Sequence, residues 1–313
     1  MDNFIFFFGI YKGLCNLYKL LVFVEKIMAI FFSLRKYYYI LENCKMTVKN
    51  TVKIECGCFD LARTLDCGQA FRWAQTGENE WHGVAFSRAL TLRQSGNEIE
   101  FIGTSDKDFE SIWKPYFDLD RDYSAVCDRL KADSHLEKAV TECSGIRILK
   151  QEPWEAICSF IISANNNIPR IKGIIDRLCR LLGEHLGGDD YAFPTPERVA
   201  AAGIDGLAPI RAGFRAKYII DAAEKISKGE IDFEKIYSAP LDEGRDELIK
   251  IKGVGEKVAQ CALLYGFGKV DAFPVDVWVK RIMAEMYPDG LPECTNGVRG
   301  IAQQYLFHWR RNQ

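Results

Sequence analysis

A lysine and an aspartate carry the chemistry that this sequence predicts. Lys257 lies in the first turn of a predicted helix over residues 256–266, where the positive end of the helix dipole disfavours a second positive charge. A lysine that gives up its proton easily is a candidate amine nucleophile, and Cys261 shares its face at a spacing of i and i+4. Asp276 follows Pro274 and precedes another helical run, so it is a natural N-cap. Taken alone, the lysine could instead be solvated or bind a phosphate, and the aspartate could be only a cap.

The residues before this lysine predict a tight hairpin between two helices. Gly253 and Gly255 flank Val254, and glycine supplies the positive φ angles and the close backbone approach that such a turn needs. The first amides of the following helix have no partner within the helix and favour an anion. We therefore expect the hairpin to bind a phosphate group.

The elements that must position these residues follow from periodicity. Alternating apolar residues predict antiparallel strands within residues 52–103, and residues 106–143 predict helices. Pro153 opens a further helix, and the polar segment 163–170 ends it. The next helix carries a predicted core stripe of Ile171, Ile174, Ile175, Leu178, Leu181 and Leu182. Residues 183–209 are rich in turn formers, and residues 297–309 predict a last helix.

Length and composition indicate a globular protein without an excess of positive charge. The chain has 313 residues, of which 48% are hydrophobic and 27% charged, and its net charge is -2. That length allows one large domain or two to three small ones. The charge excludes a basic coat, but not a single DNA-binding face. The 11 cysteines indicate a reducing compartment, and Cys56-x-Cys58 lacks the second close pair of a zinc site.

The first 45 residues differ from the rest of the chain because Phe, Ile, Leu and Tyr dominate them. Charged residues interrupt every apolar run, and none approaches the ~20 apolar residues of a membrane-spanning helix. The segment also lacks the cleavage pattern of a signal peptide. We favour an over-long start with Met46 as the initiator, and the alternative is an interfacial anchor or a targeting segment.

Four phrases together resemble one enzyme family. GVGEK at residues 253–257, followed by PVD at residues 274–276, resembles the helix-hairpin-helix, Gly/Pro-rich, catalytic-Asp superfamily of DNA glycosylases. GQAFRW at residues 68–73 resembles the N-terminal signature of the 8-oxoguanine DNA glycosylases. NNNIPR at residues 165–170 and GFRAKY at residues 213–218 are similar to further segments of that family. The resemblance covers about residues 52–309, and it implies an α+β fold with a small antiparallel β domain before a mostly helical body.

The resemblance implies a catalytic pair and a base-binding pocket. Lys257 would attack C1′ of the damaged nucleotide, and Asp276 would stabilise the positive charge that develops on the sugar. Gly68 would supply a backbone carbonyl that accepts a hydrogen bond from N7–H of 8-oxoguanine, which guanine lacks. Three side chains would hold the base, one on each face of the purine and one at its Watson–Crick edge: Phe307, Cys261 and Gln303.

A second set of residues is implied for the partner strand. Asn165 would fill the gap that the extruded base leaves, and Phe214 would act as a wedge where animal members have tyrosine. Arg170 and Arg215 would contact the estranged cytosine. The sequence departs from the animal pattern at Trp278, because a histidine that touches phosphate is usual there and tryptophan cannot carry its charge.

The implied function is excision of 8-oxoguanine opposite cytosine from duplex DNA, through a lysine Schiff base and β-elimination. It needs no metal or organic cofactor. We expect a monomer without membrane association, cytoplasmic or, in a eukaryote, nuclear. The predicted divisions are the N-terminal extension 1–45, the β domain with its following helices 46–145, and the helical domain 146–313.

Two alternatives remain open at this stage. An endonuclease III-like glycosylase for oxidised pyrimidines would share the lysine and the aspartate. It would normally also carry a C-terminal four-cysteine iron–sulfur loop, whereas only Cys294 follows Cys261 here. A non-catalytic hairpin module that binds DNA backbone would not need the lysine, the aspartate, Gln303 and Phe307 together.

Overall fold

The computed structural model describes residues 50–311. The predicted extension over residues 1–45 and the proposed start at Met46 lie outside that range. A five-stranded antiparallel sheet comes first, in the order β1-β5-β4-β3-β2. Its strands are β1 Thr51–Glu55, β2 Trp73–Gly77, β3 Glu80–Ala85, β4 Arg88–Ser95 and β5 Glu98–Ile102.

Apolar residues alternate along the sheet as the sequence predicts. Leu92 of β4 lies opposite Phe101 of β5, and both are fully buried. Aromatic residues from the helical segment that follows cover this face, and they include Trp113 and Phe117. The indole Nε1 of Trp73 donates to the hydroxyl of Tyr116 at 2.8 Å, so the polar atoms inside this cluster are paired.

Helices make up most of the remaining described chain. They are α1 Leu61–Leu65, α2 Asp106–Asp108, α3 Lys114–Tyr116, α4 Tyr123–Leu130, α5 Ser134–Glu142, α6 Pro153–Ser163, α7 Ile168–Leu182, α8 Pro196–Gly206, α9 Ala216–Ser227, α10 Phe233–Ser238, α11 Leu241–Ile249, α12 Glu256–Tyr265, α13 Val277–Met286 and α14 Arg299–Arg311. A π-helical turn spans Phe109–Trp113, and 3₁₀ turns span Ala208–Ile210, Gly213–Arg215 and Glu293–Thr295. These bounds confirm an α+β fold.

Two sequence predictions need correction, for Leu181 and for the bounds of the last helix. Residues 183–209, for which only turns were expected, contain the short strands β6 His185–Gly187 and β7 Asp190–Tyr191 as well as α8. Thr195 caps α8 with its hydroxyl, and a proline takes the first helical position, as is usual at a helix start. Leu181 is 41% exposed, since it lies at the edge of its stripe in the last turn of α7. The last helix begins and ends two residues later than predicted.

The start of α6 brings two glutamates together. Glu155 is buried and pairs with the partly buried Arg72, whose Nη1 lies 3.3 Å from Oε2 of Glu155. Glu152 precedes the helix, and no described arginine or lysine forms an ion pair with it. Burial raises the pKa of Glu152 to about 7, and the nearby charge of Glu155 adds to that effect.

We expect Glu152→Gln to stabilise the protein at pH 8 and to leave its stability unchanged near pH 4. Between pH 4.5 and about 7 the folded state keeps a proton that the unfolded state has lost, so stability of the wild type falls as pH rises. Glutamine carries no charge, so its advantage should reach about 2 kcal/mol above pH 7. Urea unfolding at both pH values measures this, with the exposed Glu78→Gln as control. An equal gain at both pH values would contradict the expectation.

Candidate active site

The hairpin between α11 and α12 presents Lys257. Gly253 has φ +84°, and a Cβ there would lie 2.4 Å from the ring of Tyr218, so both conformation and packing require glycine. Gly255 has φ -103°, so the prediction of a positive φ is wrong for this residue, which instead is the N-cap of α12. Val254 between them is buried and anchors the turn.

The N-terminus of α12 is suited to an anion. The helix begins at Glu256, so Lys257 lies in its first turn as predicted. Among the described residues no side chain caps this helix, and Gly255 at its start is exposed. Its first amides are therefore open to solvent, with the positive end of the helix dipole behind them.

One pocket collects the predicted catalytic and base-binding residues. Its lining comes from the loop after α1, from α6, α12 and α14, and from the segment that leads into α13. The predicted residues brought together here are Gly68, Lys257, Cys261, Asp276, Gln303 and Phe307. The pocket measures about 60 Å³, which is room for a few waters, so a purine could enter only if side chains moved.

Asp276 caps α13 with one carboxylate oxygen, and its other carboxylate oxygen remains available to a ligand. Its Oδ1 accepts a hydrogen bond from the amide of Val279 at 2.8 Å, which confirms the predicted N-cap. No described donor binds its second oxygen. Gln260 of α12 accepts from the amide of Phe273 at 3.1 Å, and this bond ties the segment before Asp276 to the helix that carries Lys257.

Lys257 lies close to the aromatic ring of Phe160 and to the thiol of Cys261. Its Nζ is 5.4 Å from the ring centroid of Phe160, within the range of a cation–π contact. Burial raises the pKa of the Cys261 thiol to about 11, and the positive charge of Lys257 opposes that shift. At neutral pH the cysteine is therefore an uncharged thiol, which presents a compact, polarisable surface to the pocket.

Gln303 carries an unpaired acceptor. The residue is 5% exposed, and its Oε1 is the one buried side-chain oxygen or nitrogen without a hydrogen-bond partner in residues 50–311. Such an orphaned group costs about 1–3 kcal/mol relative to a paired one. A ligand that donates to this oxygen from inside the pocket would recover that cost.

Gly68 combines an unusual conformation with a free carbonyl. Its φ is +84°, which disfavours any residue with a side chain, whereas the nearest atom to an added Cβ is 3.8 Å away. The backbone therefore requires glycine here even before a base arrives. No donor in the described part of the chain hydrogen-bonds to its carbonyl oxygen.

Four residues of the pocket were not predicted from the sequence: Cys67, Phe160, Tyr265 and Gln304. Tyr265 lies four residues beyond Cys261 on the same helix face, so helical spacing could have found it. Gln304 neighbours Gln303 in sequence. Phe160 gave no signal, because α6 is buried on nearly all sides and has no distinct face.

A second, exposed group lies where α6 ends and α7 begins. Asn165 and Arg170 are exposed, and Asn165 has φ +49°, which is uncommon for a residue other than glycine. Phe214 is 53% exposed. Trp278 lies apart from these residues in the chain, in the first turn of α13, where it is also exposed and the Arg281 guanidinium lies 5.4 Å from its ring centroid.

Arg215 is buried beneath Asn165 and bonds to its backbone carbonyl. It is 2% exposed, and its guanidinium donates to the carbonyls of Ala164, at 3.0 and 2.6 Å, and Asn165, at 2.8 Å. A further bond of 3.3 Å reaches the carbonyl of Ala212. Arginine has five N–H groups, so one remains for a ligand. Arg215 therefore holds the Asn165 loop in place, and it can reach a base with one donor at most unless these bonds break.

Other features of the described chain lie away from this pocket. A cavity of about 240 Å³ between β2, β3 and α7 contains neither Lys257 nor Asp276. Within residues 50–311 no cluster of three or more His, Cys, Asp and Glu side chains could hold a metal ion. None of the helices in that range is long and apolar enough to cross a membrane.

Comparisons with known proteins agree along most of the described chain. The 8-oxoguanine DNA glycosylase N-terminal domain model matches residues 51–157, and the HhH-GPD superfamily base excision DNA repair protein model matches residues 158–290. The N-glycosylase/DNA lyase of Saccharomyces cerevisiae is 33% identical over 259 residues, which cover 72% of this chain and 68% of the yeast protein.

Two solved structures of the Clostridium acetobutylicum 8-oxoguanine glycosylase/lyase are similar over most of this chain. The apo form is 37% identical, with a TM-score of 0.78, and covers 83% of this chain and 96% of its own. The complex with double-stranded DNA that contains cytosine opposite 8-oxoguanine is 38% identical, with a TM-score of 0.78. It covers 84% of this chain and 96% of its own.

Proposed function

This chain belongs to the 8-oxoguanine DNA glycosylase family of the HhH-GPD superfamily, and we propose that it excises 8-oxoguanine opposite cytosine and then nicks the strand. The observation that carries the proposal is the unpaired Oε1 of Gln303, buried in the pocket that Lys257 and Asp276 also line. The Watson–Crick edge of 8-oxoguanine carries N–H donors that would satisfy this oxygen, while the Gly68 carbonyl would accept N7–H.

The reaction begins with extrusion of the damaged nucleotide, since its sugar carbon cannot be attacked inside the stack. Lys257 gives up a proton and its amine attacks C1′, and the bond from C1′ to N9 breaks as the base leaves with its electron pair and takes up a proton. Positive charge builds on the sugar in this step. The carboxylate of Asp276 faces the same pocket, with one oxygen uncommitted among the described residues, and it stabilises that charge.

Strand cleavage follows from the covalent intermediate. The adduct loses a proton from the lysine nitrogen, the bond from C1′ to the ring oxygen O4′ breaks, and O4′ takes up a proton. This leaves a Schiff base between Lys257 and C1′, whose positive nitrogen acidifies the neighbouring C2′–H. Removal of that proton expels the 3′ phosphate by β-elimination. Water then hydrolyses the Schiff base and releases the lysine, and the proposed steps use no metal or organic cofactor.

DNA is held by the exposed features around the pocket. The open amides at the start of α12 suit a backbone phosphate. Asn165 fills the space that the base vacates, and the exposed ring of Phe214 wedges the neighbouring step. We further propose that one chain acts alone, because a single copy supplies every residue of the pocket, and that the β domain meets the helical body near residues 145 and 146.

Arg170 is expected to set the preference for the opposite base. Arg170 is exposed, and its guanidinium does not bond to the carbonyls of Ala164 and Asn165 that bind Arg215. A guanidinium offers hydrogen-bond donors but no acceptor. It therefore suits the O2 and N3 acceptors of cytosine and not the amino donor of adenine. Arg170→Ala should narrow the cytosine-over-adenine preference by about tenfold, more than it lowers activity on the cytosine pair.

The measurement is single-turnover excision of 8-oxoguanine opposite cytosine and opposite adenine at one salt concentration, because backbone binding depends on salt. Arg177→Ala is the matched control, since that arginine lies on the same helix and donates to the carbonyl of Ile210 at 2.9 Å. Equal wild-type rates on both duplexes would refute the proposed preference. An unchanged preference in Arg170→Ala would refute the role of Arg170.

A further inference from the structure

A buried polar pair forms part of the wall of the base pocket, and the chemistry of Lys257 does not use it. The hydroxyl of Tyr265 donates to Oε1 of Gln304 at 2.6 Å, and Nε2 of Gln304 donates to the carbonyl of Cys67 at 3.1 Å. Both side chains are buried. The two bonds join α12 and α14 to the residue directly before Gly68.

Burying the hydroxyl of Tyr265 and the amide of Gln304 costs free energy of folding, which suggests a functional role for the pair. Apolar side chains would fill the same space without desolvating a hydroxyl and an amide. Burial raises the pKa of Tyr265 well above its usual range, so its hydroxyl stays protonated and serves as a donor. Gln304 uses both ends of its amide, and the chain of bonds therefore has a fixed direction that ends on the Cys67 carbonyl.

The loop is held just as firmly on the other side of Gly68. Gln69 is fully buried, and its side chain bonds to the backbone of Thr64, Arg147 and Leu149 at 2.7 to 2.9 Å. Its own carbonyl accepts from Nε2 of Gln151 at 2.7 Å. The carbonyls before and after Gly68 are thus both committed, while its own carbonyl has no donor among the described residues.

We propose that Gln304 and Tyr265 are positioning residues that fix the direction of the Gly68 carbonyl and so set the discrimination between 8-oxoguanine and guanine. The inference rests on the proposed function. Glycine gives its peptide groups wide rotational freedom, so an aimed carbonyl needs restraint on both flanks. Gln69 supplies one restraint, and the Tyr265–Gln304 pair supplies the other.

The ring of Tyr265 also lies near the nucleophile Lys257. The rival explanation is therefore that the Tyr265–Gln304 pair only supports Lys257. Tyr265 stacks on Phe160 with ring centroids 5.3 Å apart and planes 17° apart, and Phe160 lies beneath Lys257. A pair that served only to support Lys257 would affect every reaction of that lysine. Nicking of an abasic site needs Lys257 but no base, so it separates the two roles.

The test uses Tyr265→Phe, which removes the hydroxyl and keeps the stacked ring, and Gln304→Met, which removes both bonds at similar volume. Each should lower single-turnover excision of 8-oxoguanine opposite cytosine by about tenfold, the value of one good polar contact to a base. Nicking of an abasic duplex should fall far less, by about twofold at most. In both variants, the affinity for the 8-oxoguanine duplex relative to the guanine duplex should fall as the excision rate does.

The matched control is Tyr116→Phe, since it also deletes a buried hydroxyl that is hydrogen-bonded, to Trp73 at 2.8 Å in the sheet cluster. It should change neither rate. Equal losses of excision and nicking in the two test variants, or no loss in either, would overturn the inference. A wild type that nicks abasic DNA but leaves 8-oxoguanine in place would instead overturn the proposed function, and the inference with it.

Discussion

Lys257→Gln is expected to abolish both excision of 8-oxoguanine and covalent trapping by borohydride. The substitution removes the only atom that can form a Schiff base at this position, while an uncharged polar side chain still fits the first turn of α12. Loss of an active-site nucleophile lowers rates by about 10³-fold or more. Single-turnover excision and trapping on the same duplex measure the two effects, and lesion binding should be largely retained.

A second lysine in the hairpin gives a matched control. Lys252 is exposed and forms only a surface ion pair, 3.5 Å from Asp221. Lys252→Gln should leave excision at saturating protein within about twofold, because surface charge affects binding to the backbone rather than the chemical step. Excision by Lys257→Gln at a rate near that of the wild type would exclude this lysine as the nucleophile.

Asp276→Asn is expected to lower excision by about 10² to 10³-fold with little change in Tm. The carbonyl oxygen of asparagine can still accept from the amide of Val279, so the cap of α13 survives. Only the negative charge that faces the pocket is lost. Single-turnover rates and thermal unfolding of the same preparation measure the two quantities together.

The control for this change is another capping aspartate. Asp232 caps α10 by accepting from the amide of Glu234 at 2.9 Å, and it does not line the pocket that holds Lys257. Asp232→Asn should alter neither rate nor Tm. If Asp276→Asn unfolds while its folded fraction stays fully active, the residue is structural only.

The local features of the site could be predicted from sequence because short-range chemistry sets them. The cap at Asp276, the helix start at Glu256 and the strand alternation around Leu92 all follow from neighbours a few residues away. Gly253 and its positive φ belong to the same class. The positive φ predicted for Gly255 is wrong, because Gly-x-Gly fits several turns and this residue is the N-cap of α12.

The rest of the site depends on contacts between distant parts of the chain. Cys67 and Gln304 are 237 residues apart, so no local pattern links them. Arg215 shows the same limit, because an arginine beside an aromatic residue is usually solvated, whereas here three backbone carbonyls bind it. The predicted burial of Leu181 in α7 is wrong, because periodicity gives the direction of a side chain but not whether another element packs against it.

Borohydride trapping of the wild type on three duplexes shows which damaged base Lys257 displaces. The duplexes carry 8-oxoguanine opposite cytosine, an oxidised pyrimidine opposite its normal partner, or no lesion. We expect a covalent adduct with the first alone, and none with Lys257→Gln on any of them. An adduct with the oxidised pyrimidine instead, or no adduct at all, would contradict the account.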